Sequence, residues 1–201
     1  MRPIRNVLIL AIAALALGAC AAALVPATSD PAKKLGDAAI LFDSQGRPLP
    51  AERLIVDAMN QYKAANNQLG LAESYRIYGL FFRSRILNQA NYAAHYREKG
   101  FIDLVAAYDT RYDRSIYYLE LAEHILKGAD RLDLLSNVYF HLGDVSVLKG
   151  DKAGACKFYN QSIAAQAAFR ENDPTASVDL PPDAASFNDK LRASKNYAGC
   201  T

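Results

Sequence analysis

The central part of the chain combines an apolar pattern with a lack of helix-breaking residues. No proline stands between Ala51 and Asp173, although the chain contains eight prolines. Ala, Leu and Tyr are frequent in this stretch, and runs of β-branched residues are few. Because proline interrupts helices while Ala and Leu favour them, the stretch predicts an all-α core.

The pattern also repeats when the chain is compared with itself at one constant offset. Identical residues then coincide, and several apolar positions fall on apolar positions. The identical pairs are Ala58/Ala122, Lys63/Lys127, Ala65/Ala129, Leu71/Leu135, Tyr75/Tyr139 and Gly79/Gly143. The sequence therefore predicts one structural unit used twice, with a third, degraded copy that begins near Leu35.

The residues of the last copy are typical of a known helical unit. Tyr139, Leu142 and Gly143 fall on a first helix, Gly150 and Asp151 on a turn, and Ala155, Tyr159 and Ser162 on a second helix. This arrangement resembles the tetratricopeptide repeat (TPR), a helix-turn-helix unit of about 34 residues. The resemblance covers residues 35–169 and implies a short TPR-like array of two clear repeats and one degenerate repeat.

The middle repeat departs from this pattern by an insertion at about residues 84–114. The inserted segment carries Tyr92 and Tyr96 at the i,i+4 spacing of one helix face. Insertions in repeat proteins map to one face and often carry function, so these tyrosines are candidates for a binding surface. The alternative is a longer or extra helix whose tyrosines only pack.

The C-terminal part changes composition. Residues 170–185 include Pro174, Pro181 and Pro182 and predict a surface linker. Ser186 is then a candidate N-cap for a short amphipathic helix in residues 186–201, with Phe187, Leu191 and Tyr197 on its apolar face. Because a terminal repeat needs its outer face covered, this helix is expected to cap the array.

The N-terminus has the layout of a secretory leader. Arg2 and Arg5 precede an apolar run that is too short to span a bilayer, and small residues lead to Cys20. Residues 1–19 resemble a lipoprotein signal peptide, which implies cleavage before Cys20 and acylation of that residue. An ordinary leader cut nearby is the alternative. Ala21, where an Asp would favour inner-membrane retention, implies a lipid anchor in the bacterial outer membrane facing the periplasm, with residues 20–34 as a flexible tether.

Two cysteines remain once Cys20 is assigned to the lipid. Cys156 falls on the last repeat helix and Cys200 at the end of the presumed cap, so a disulfide between them is expected in an oxidising compartment. The alternative leaves Cys156 reduced in the core and Cys200 free.

Charge and motif content narrow the function. The formal net charge is +2, and the excess belongs to Arg2 and Arg5 of the leader, so nothing favours a nucleic-acid partner. The sequence contains no recognised catalytic motif, and Glu120, Glu123 and His124 fit a solvated helix surface better than a metal site. We therefore expect neither an enzyme nor a bound cofactor or metal.

The TPR resemblance implies a peptide-binding groove lined by the first helix of each repeat. The stripes with the required spacing are Glu73, Arg76, Leu80 and Arg83 on the middle repeat, and Asn137, Phe140, Asp144 and Val147 on the last. The expected function is a protein-interaction scaffold or assembly factor for an envelope machine. The alternative is a small-ligand or glycan pocket formed by the insertion.

Overall fold

The computed structural model describes residues 28–172 and 186–200 of the chain. These residues form eight α-helices and two short 3-10 helices, with no strand among them, which confirms the all-α prediction. The helices are α1 (Pro31–Asp43), α2 (Pro48–Ala64), α3 (Gln68–Arg83), α4 (Ala90–Lys99), α5 (Arg111–Gly128), α6 (Leu132–Leu148), α7 (Lys152–Asn172) and α8 (Phe187–Ala198). The 3-10 helices are Arg85–Asn88 and Tyr108–Thr110.

Several helix ends follow directly from the local sequence. Asp30 caps α1 through a 2.9 Å hydrogen bond from the Ala32 amide, and Pro31 occupies the first turn. Ser186 caps α8, as its sequence predicts, by accepting a hydrogen bond from the Asp189 amide. Because of the Asp-Pro start, α1 begins at Pro31, inside the segment 20–34 assigned to the tether.

Other predicted segments fall largely or wholly outside the described residues. These are the leader 1–19, Cys20, the tether as far as residue 27, and most of the linker 170–185. The exception in the linker is its start, because α7 continues as far as Asn172. No helix in the described ranges is both long and apolar enough to cross a membrane.

The helices pack as consecutive hairpins with a terminal helix. α1 packs against α2, α3 against α5, and α6 against α7, while α8 lies on α7. The first helices of successive hairpins also touch, since α1 contacts α3 and α3 contacts α6, and α6 in turn contacts α8. These contacts place α1, α3, α6 and α8 next to one another along one side of the molecule.

Two glycines permit close contacts between the helices of a hairpin. A Cβ at Gly143 would lie 2.4 Å from the Tyr159 ring, and one at Gly79 would lie 2.8 Å from the Leu119 side chain. The Ser115 hydroxyl donates a 2.6 Å hydrogen bond to the Gly79 carbonyl at the same contact. The two glycines paired by the sequence comparison therefore occupy similar packing environments in α3 and α6.

The predicted insertion folds onto the neighbouring helices around an aromatic core. Tyr96 is buried and stacks on Phe101 with ring centroids 4.3 Å apart. Tyr92 is half-buried, and its hydroxyl donates a 2.9 Å hydrogen bond to the Gly46 carbonyl after α1. Both tyrosines thus pack against neighbouring elements. α5 begins at Arg111, so its first residues fall within the predicted insertion range 84–114.

A buried glutamate links this insertion to the array. Oε1 of Glu52, on α2, accepts a 2.9 Å hydrogen bond from the Tyr78 hydroxyl and a 2.8 Å hydrogen bond from the Ile102 amide. The Tyr96 hydroxyl faces the same carboxyl without a hydrogen bond of normal geometry. Burial raises the pKa of Glu52 to about 7, although these hydrogen bonds partly oppose the rise.

Candidate binding groove

A groove of about 1100 Å³ opens where several helices end close together. The C-terminal turns of α1, α3 and α6 form its length, and residues 84–89 of the insertion and helix α8 form its walls. The groove therefore lies on the side of the molecule that the first helices of the hairpins form.

The walls of the groove expose apolar side chains to solvent. Ile40 of α1 and Leu148 of α6 are about half exposed, and Tyr197 of α8 is 83% exposed. Large apolar side chains that line one concave surface are a usual feature of a binding site. The groove thus offers apolar contact from three separate helices.

A network of charged and polar side chains forms the floor of the groove. Arg83 of α3 lies 3.2 Å from the Asp144 carboxylate of α6, and the Tyr159 hydroxyl of α7 donates a 3.0 Å hydrogen bond to the same carboxylate. Burial lowers the pKa of Arg83, but the Asp144 charge counteracts this effect. One carboxylate therefore joins three helices through charge-assisted contacts.

His141 lies behind this floor between two guanidinium groups. Its Nδ1 is 3.0 Å from the Arg83 guanidinium, and its Nε2 is 3.5 Å from the Arg76 guanidinium. Burial, together with the charges of Arg83 and Arg76, lowers the pKa of His141 to about 4. At neutral pH the ring is therefore uncharged, and Nδ1 accepts the hydrogen bond from Arg83.

Two polar atoms beside the groove have no hydrogen-bond partner among the described residues. They are Nε of Arg83 and Oγ of Ser84, both buried. An unsatisfied buried polar atom is unfavourable, and both atoms are shielded from the solvent that fills the groove. Arg85 is exposed on the same wall and adds a positive charge.

The groove also has negative character. Asp43, at the end of α1, is exposed on its lining, and the C-terminal carbonyl groups of α1, α3 and α6 add partial negative charge. The lining therefore presents positive and negative groups beside apolar ones, which suits a polypeptide segment with mixed side chains better than a uniformly charged ligand.

The predicted stripe residues divide into two groups. Leu80, Arg83, Asp144 and Val147 line the groove. The other four are not among its lining residues. Arg76 pairs with Glu73 at 2.6 Å, Asn137 contacts the Asp133 carbonyl at 3.4 Å, and Phe140 packs against Phe187 of α8 with ring centroids 5.7 Å apart. The capping helix thus covers the part of α6 that the stripe assigned to a peptide.

Sequence reasoning missed three lining residues for identifiable reasons. Ile40 belongs to the degraded copy, and aligning Gly36 with Gly143 would have placed Ile40 on Val147. Tyr197 was expected on the apolar face of the cap, but it lies about 120° around the helix from Leu191 and points away from the packed side. Ser84 had no sequence signal, since its place depends on the end of α3.

The predicted disulfide is present and fixes the α8 wall. Cys156 of α7 is bonded to Cys200, with their Cα atoms 5.5 Å apart. Leu191 and Phe187 are buried against Ala155 and Tyr159 of α7 on the same side. The alternative with free thiols is therefore not the arrangement in this structure.

Neither the described residues nor the comparisons supply a further site assignment. In residues 28–172 and 186–200, no three His, Cys, Asp or Glu side chains are grouped so that they could hold a metal ion. Glu120 and His124 are exposed on α5, and Glu123 forms an ion pair with Lys127. Comparison of the chain with models of protein families, with curated proteins and with solved structures found no significant match.

Proposed function

We propose that this chain is a lipid-anchored envelope protein whose TPR-like helical array binds a segment of a partner protein in the groove. The protein would act as a scaffold or assembly factor and would not catalyse a reaction. The observation that carries the proposal is the groove itself, which combines exposed apolar residues of three helices with the exposed charges of Arg85 and Asp43.

The packing of the hairpins supports the TPR-like interpretation. Gly79 and Gly143 make matching close contacts with the second helix of their hairpins, at Leu119 and Tyr159 respectively. The first helices also touch in sequence along one side, and the groove lies on that side. This is the arrangement expected for stacked repeats that bind a partner along their first helices.

The anchor and compartment rest on the sequence. The leader-like residues 1–19 and Cys20 resemble a lipoprotein signal, and the proposed location is the outer membrane facing the periplasm. The Cys156–Cys200 disulfide supports an oxidising compartment, because cytosolic thiols are kept reduced.

The groove favours a protein segment over the small-ligand alternative. It is an open groove, and Tyr92 and Tyr96, which were the candidates for a ligand pocket in the insertion, are not among its lining residues. A peptide in extended or helical form also matches a site formed by the ends of several helices in a row.

Site-specific photocrosslinking in cells tests the binding surface. A photoreactive amino acid at Leu148 or Tyr197 should capture one discrete partner, whereas the same group at Ile163, an exposed position on α7 outside the groove lining, should not. Ile40→Asp should weaken capture from Leu148, because it places a charge in the apolar wall. Equal capture at all three positions, or none at the groove positions, would contradict a groove-bound partner.

Fractionation tests the anchor separately. Cys20→Ala should move the protein from the membrane fraction to the soluble fraction and abolish labelling by an alkyne-tagged fatty acid. Cys156→Ser is the matched control, since it removes a cysteine but keeps the proposed lipid site. Unchanged fractionation of Cys20→Ala would refute the lipoprotein proposal.

A further inference from the structure

The loop of residues 101–106 (loop 101–106) exposes apolar side chains to an unusual degree. Leu104 is 94% exposed and Val105 is 78% exposed, and Ile102 beside them is partly exposed. Isolated apolar residues on a surface are ordinary, but neighbouring ones at the tip of a loop indicate a contact with an apolar partner.

This loop is held in place by several hydrogen bonds. The Asp103 carboxylate accepts from the Val105 amide at 3.1 Å, from the Tyr118 hydroxyl at 3.0 Å and from Nε of Arg114 at 2.9 Å. The Asp103 carbonyl also accepts a 2.9 Å hydrogen bond from the Ala106 amide. The tip is therefore ordered before any partner binds, which reduces the entropy lost on binding.

Glu52 fixes the other side of the loop. It accepts the 2.8 Å hydrogen bond from the Ile102 amide, and Phe101 is buried among the aromatic residues of the core. The backbone of the loop is thus tied to α2 and α5, while the side chains of Leu104 and Val105 remain outside. A loop that needed only to close the chain would have no reason to present these side chains in a fixed position.

Several charges around the loop are paired within the protein. Arg114 pairs with Asp103, Arg97 with Asp109, and Lys99 with Glu98. Because the two charges of each pair offset each other, these pairs do not favour a protein partner of opposite charge. The contact that the tip offers is apolar and non-directional, as is that of the bilayer interior.

A partly exposed tyrosine lies beside Arg114, one of the residues that hold the loop. The Arg114 guanidinium lies 4.2 Å from the centroid of the Tyr117 ring, and this ring is partly exposed. A tyrosine, with an apolar ring and a polar end, is favoured at the headgroup level of a membrane. An exposed tyrosine near an apolar tip is therefore compatible with contact at a bilayer surface.

We infer that loop 101–106 inserts its tip into the bilayer surface and so forms a second membrane contact besides the N-terminal lipid. The inference rests on the proposed anchor, which brings the bilayer within reach. A fully extended chain from Cys20 to Pro31 spans at most about 40 Å, close to the diameter of about 40 Å expected for a body of this size. The tether alone therefore leaves the orientation of the body open, and the loop selects one.

The absence of tryptophan from the chain allows a direct test. Leu104→Trp places the sole tryptophan of the full-length protein at the tip, and Ile163→Trp places it at an exposed control position on α7. Each variant is incorporated into vesicles of phosphatidylethanolamine and phosphatidylglycerol whose acyl chains carry bromine, a quencher of tryptophan fluorescence. The fluorescence of the Leu104→Trp variant should be blue-shifted and quenched several times more strongly than that of the Ile163→Trp variant.

Two further measurements separate the outcomes. Adding Val105→Asp to the Leu104→Trp variant should remove most of the quenching, because it places a charge in the apolar tip. Equal quenching at positions 104 and 163 would overturn the inference. A blue shift at position 104 that appears without vesicles and grows with protein concentration would also overturn it, because the tip would then contact a second copy.

Flotation of the unsubstituted protein with the same vesicles measures the anchor independently. If the protein fails to float, the lipid anchor is wrong, and mixing the soluble protein with excess brominated vesicles still measures insertion of the tip. If the protein floats but the Leu104→Trp variant is not quenched, the anchor stands and the loop inference fails.

Discussion

The Arg83 guanidinium of α3 lies 3.2 Å from the Asp144 carboxylate of α6 and joins two neighbouring hairpins at the floor of the groove. Both side chains are largely buried, with 21% of each exposed. Because the Tyr159 hydroxyl and His141 also contact this pair, each partner stabilises the position of several others. The arrangement of the groove floor therefore depends on one interaction between helices that are distant in sequence.

Asp144→Asn should reduce the free energy of unfolding by about 1–3 kcal/mol, since it leaves a partly buried guanidinium without its counter-charge. Arg83→Met and the double variant complete a thermodynamic cycle measured by urea denaturation. The coupling energy should be about 1 kcal/mol or more. The exposed Arg97–Asp109 pair is the matched control, and its coupling should stay below about 1 kcal/mol. Equal coupling for the two pairs would contradict the role given to the floor.

His141 should make the protein less stable in acid. Its pKa is about 4 in the folded protein and 6.5 without perturbation, so the unfolded chain binds more protons between these values. The free energy of unfolding should therefore fall as the pH drops from 6.5 to 4, by up to about 3 kcal/mol. His141→Asn keeps an acceptor near Arg83 but cannot titrate. Subtracting its stability curve from that of the wild type should isolate this slope. A flat difference would refute a neutral, largely buried His141.

Glu52 should have the opposite effect. Its pKa is about 7 in the folded protein against 4.5 without perturbation, so the folded state binds more protons between these values. Its contribution should therefore lower the free energy of unfolding as the pH rises from 4.5 to 7, by up to about 3 kcal/mol. Glu52→Gln keeps Oε1 as the acceptor for Tyr78 and Ile102, and it should equal or exceed the wild type in stability at about pH 8, where the wild-type carboxyl is ionised.

Glu52→Ala is the control for the hydrogen bonds of this residue. It removes the acceptor of both hydrogen bonds and should destabilise the protein across the pH range by about 2–4 kcal/mol. If Glu52→Gln were as destabilising as Glu52→Ala at about pH 8, the negative charge itself would be required, and the proposed cost of its burial would be wrong. Urea denaturation below and above the pKa of Glu52 measures both variants.

Gly143→Ala should destabilise the last hairpin. The added Cβ would lie 2.4 Å from the Tyr159 ring, so α6 and α7 would have to move apart. Overpacking of this kind costs about 1–3 kcal/mol, more than the gain in helix propensity of about 1 kcal/mol. Gly36→Ala in α1 is the control, because no atom beyond its chain neighbours and the backbone of its own helix lies within 4 Å of its added Cβ. It should be neutral or stabilising in thermal denaturation, and a similar loss at both positions would refute the close-contact explanation.

Local pattern predicted the helices because helix formation depends on residue types and their spacing along the chain. The disulfide was expected because two cysteines remain once Cys20 is assigned to the lipid. The site was predicted less completely, since a groove depends on which faces remain uncovered after packing. Phe140 has the spacing of a groove residue, but α8 covers it, and no pattern in α6 indicates where a later helix will lie. Tyr96 has the i,i+4 spacing from Tyr92 that places both on one helix face, but Phe101 and the core enclose it. Arg83 and Asp144 line the same groove because their stripes fall on adjoining helices.

The Cys156–Cys200 bond has a practical consequence for anyone producing the protein. Material made in a reducing cytosol would contain the hairpins but would lack the covalent link that secures the wall bearing Tyr197. Such a preparation would show the expected helix content by far-UV circular dichroism, but the width of its groove would vary. Affinity measurements therefore require material whose thiol content has first been assayed.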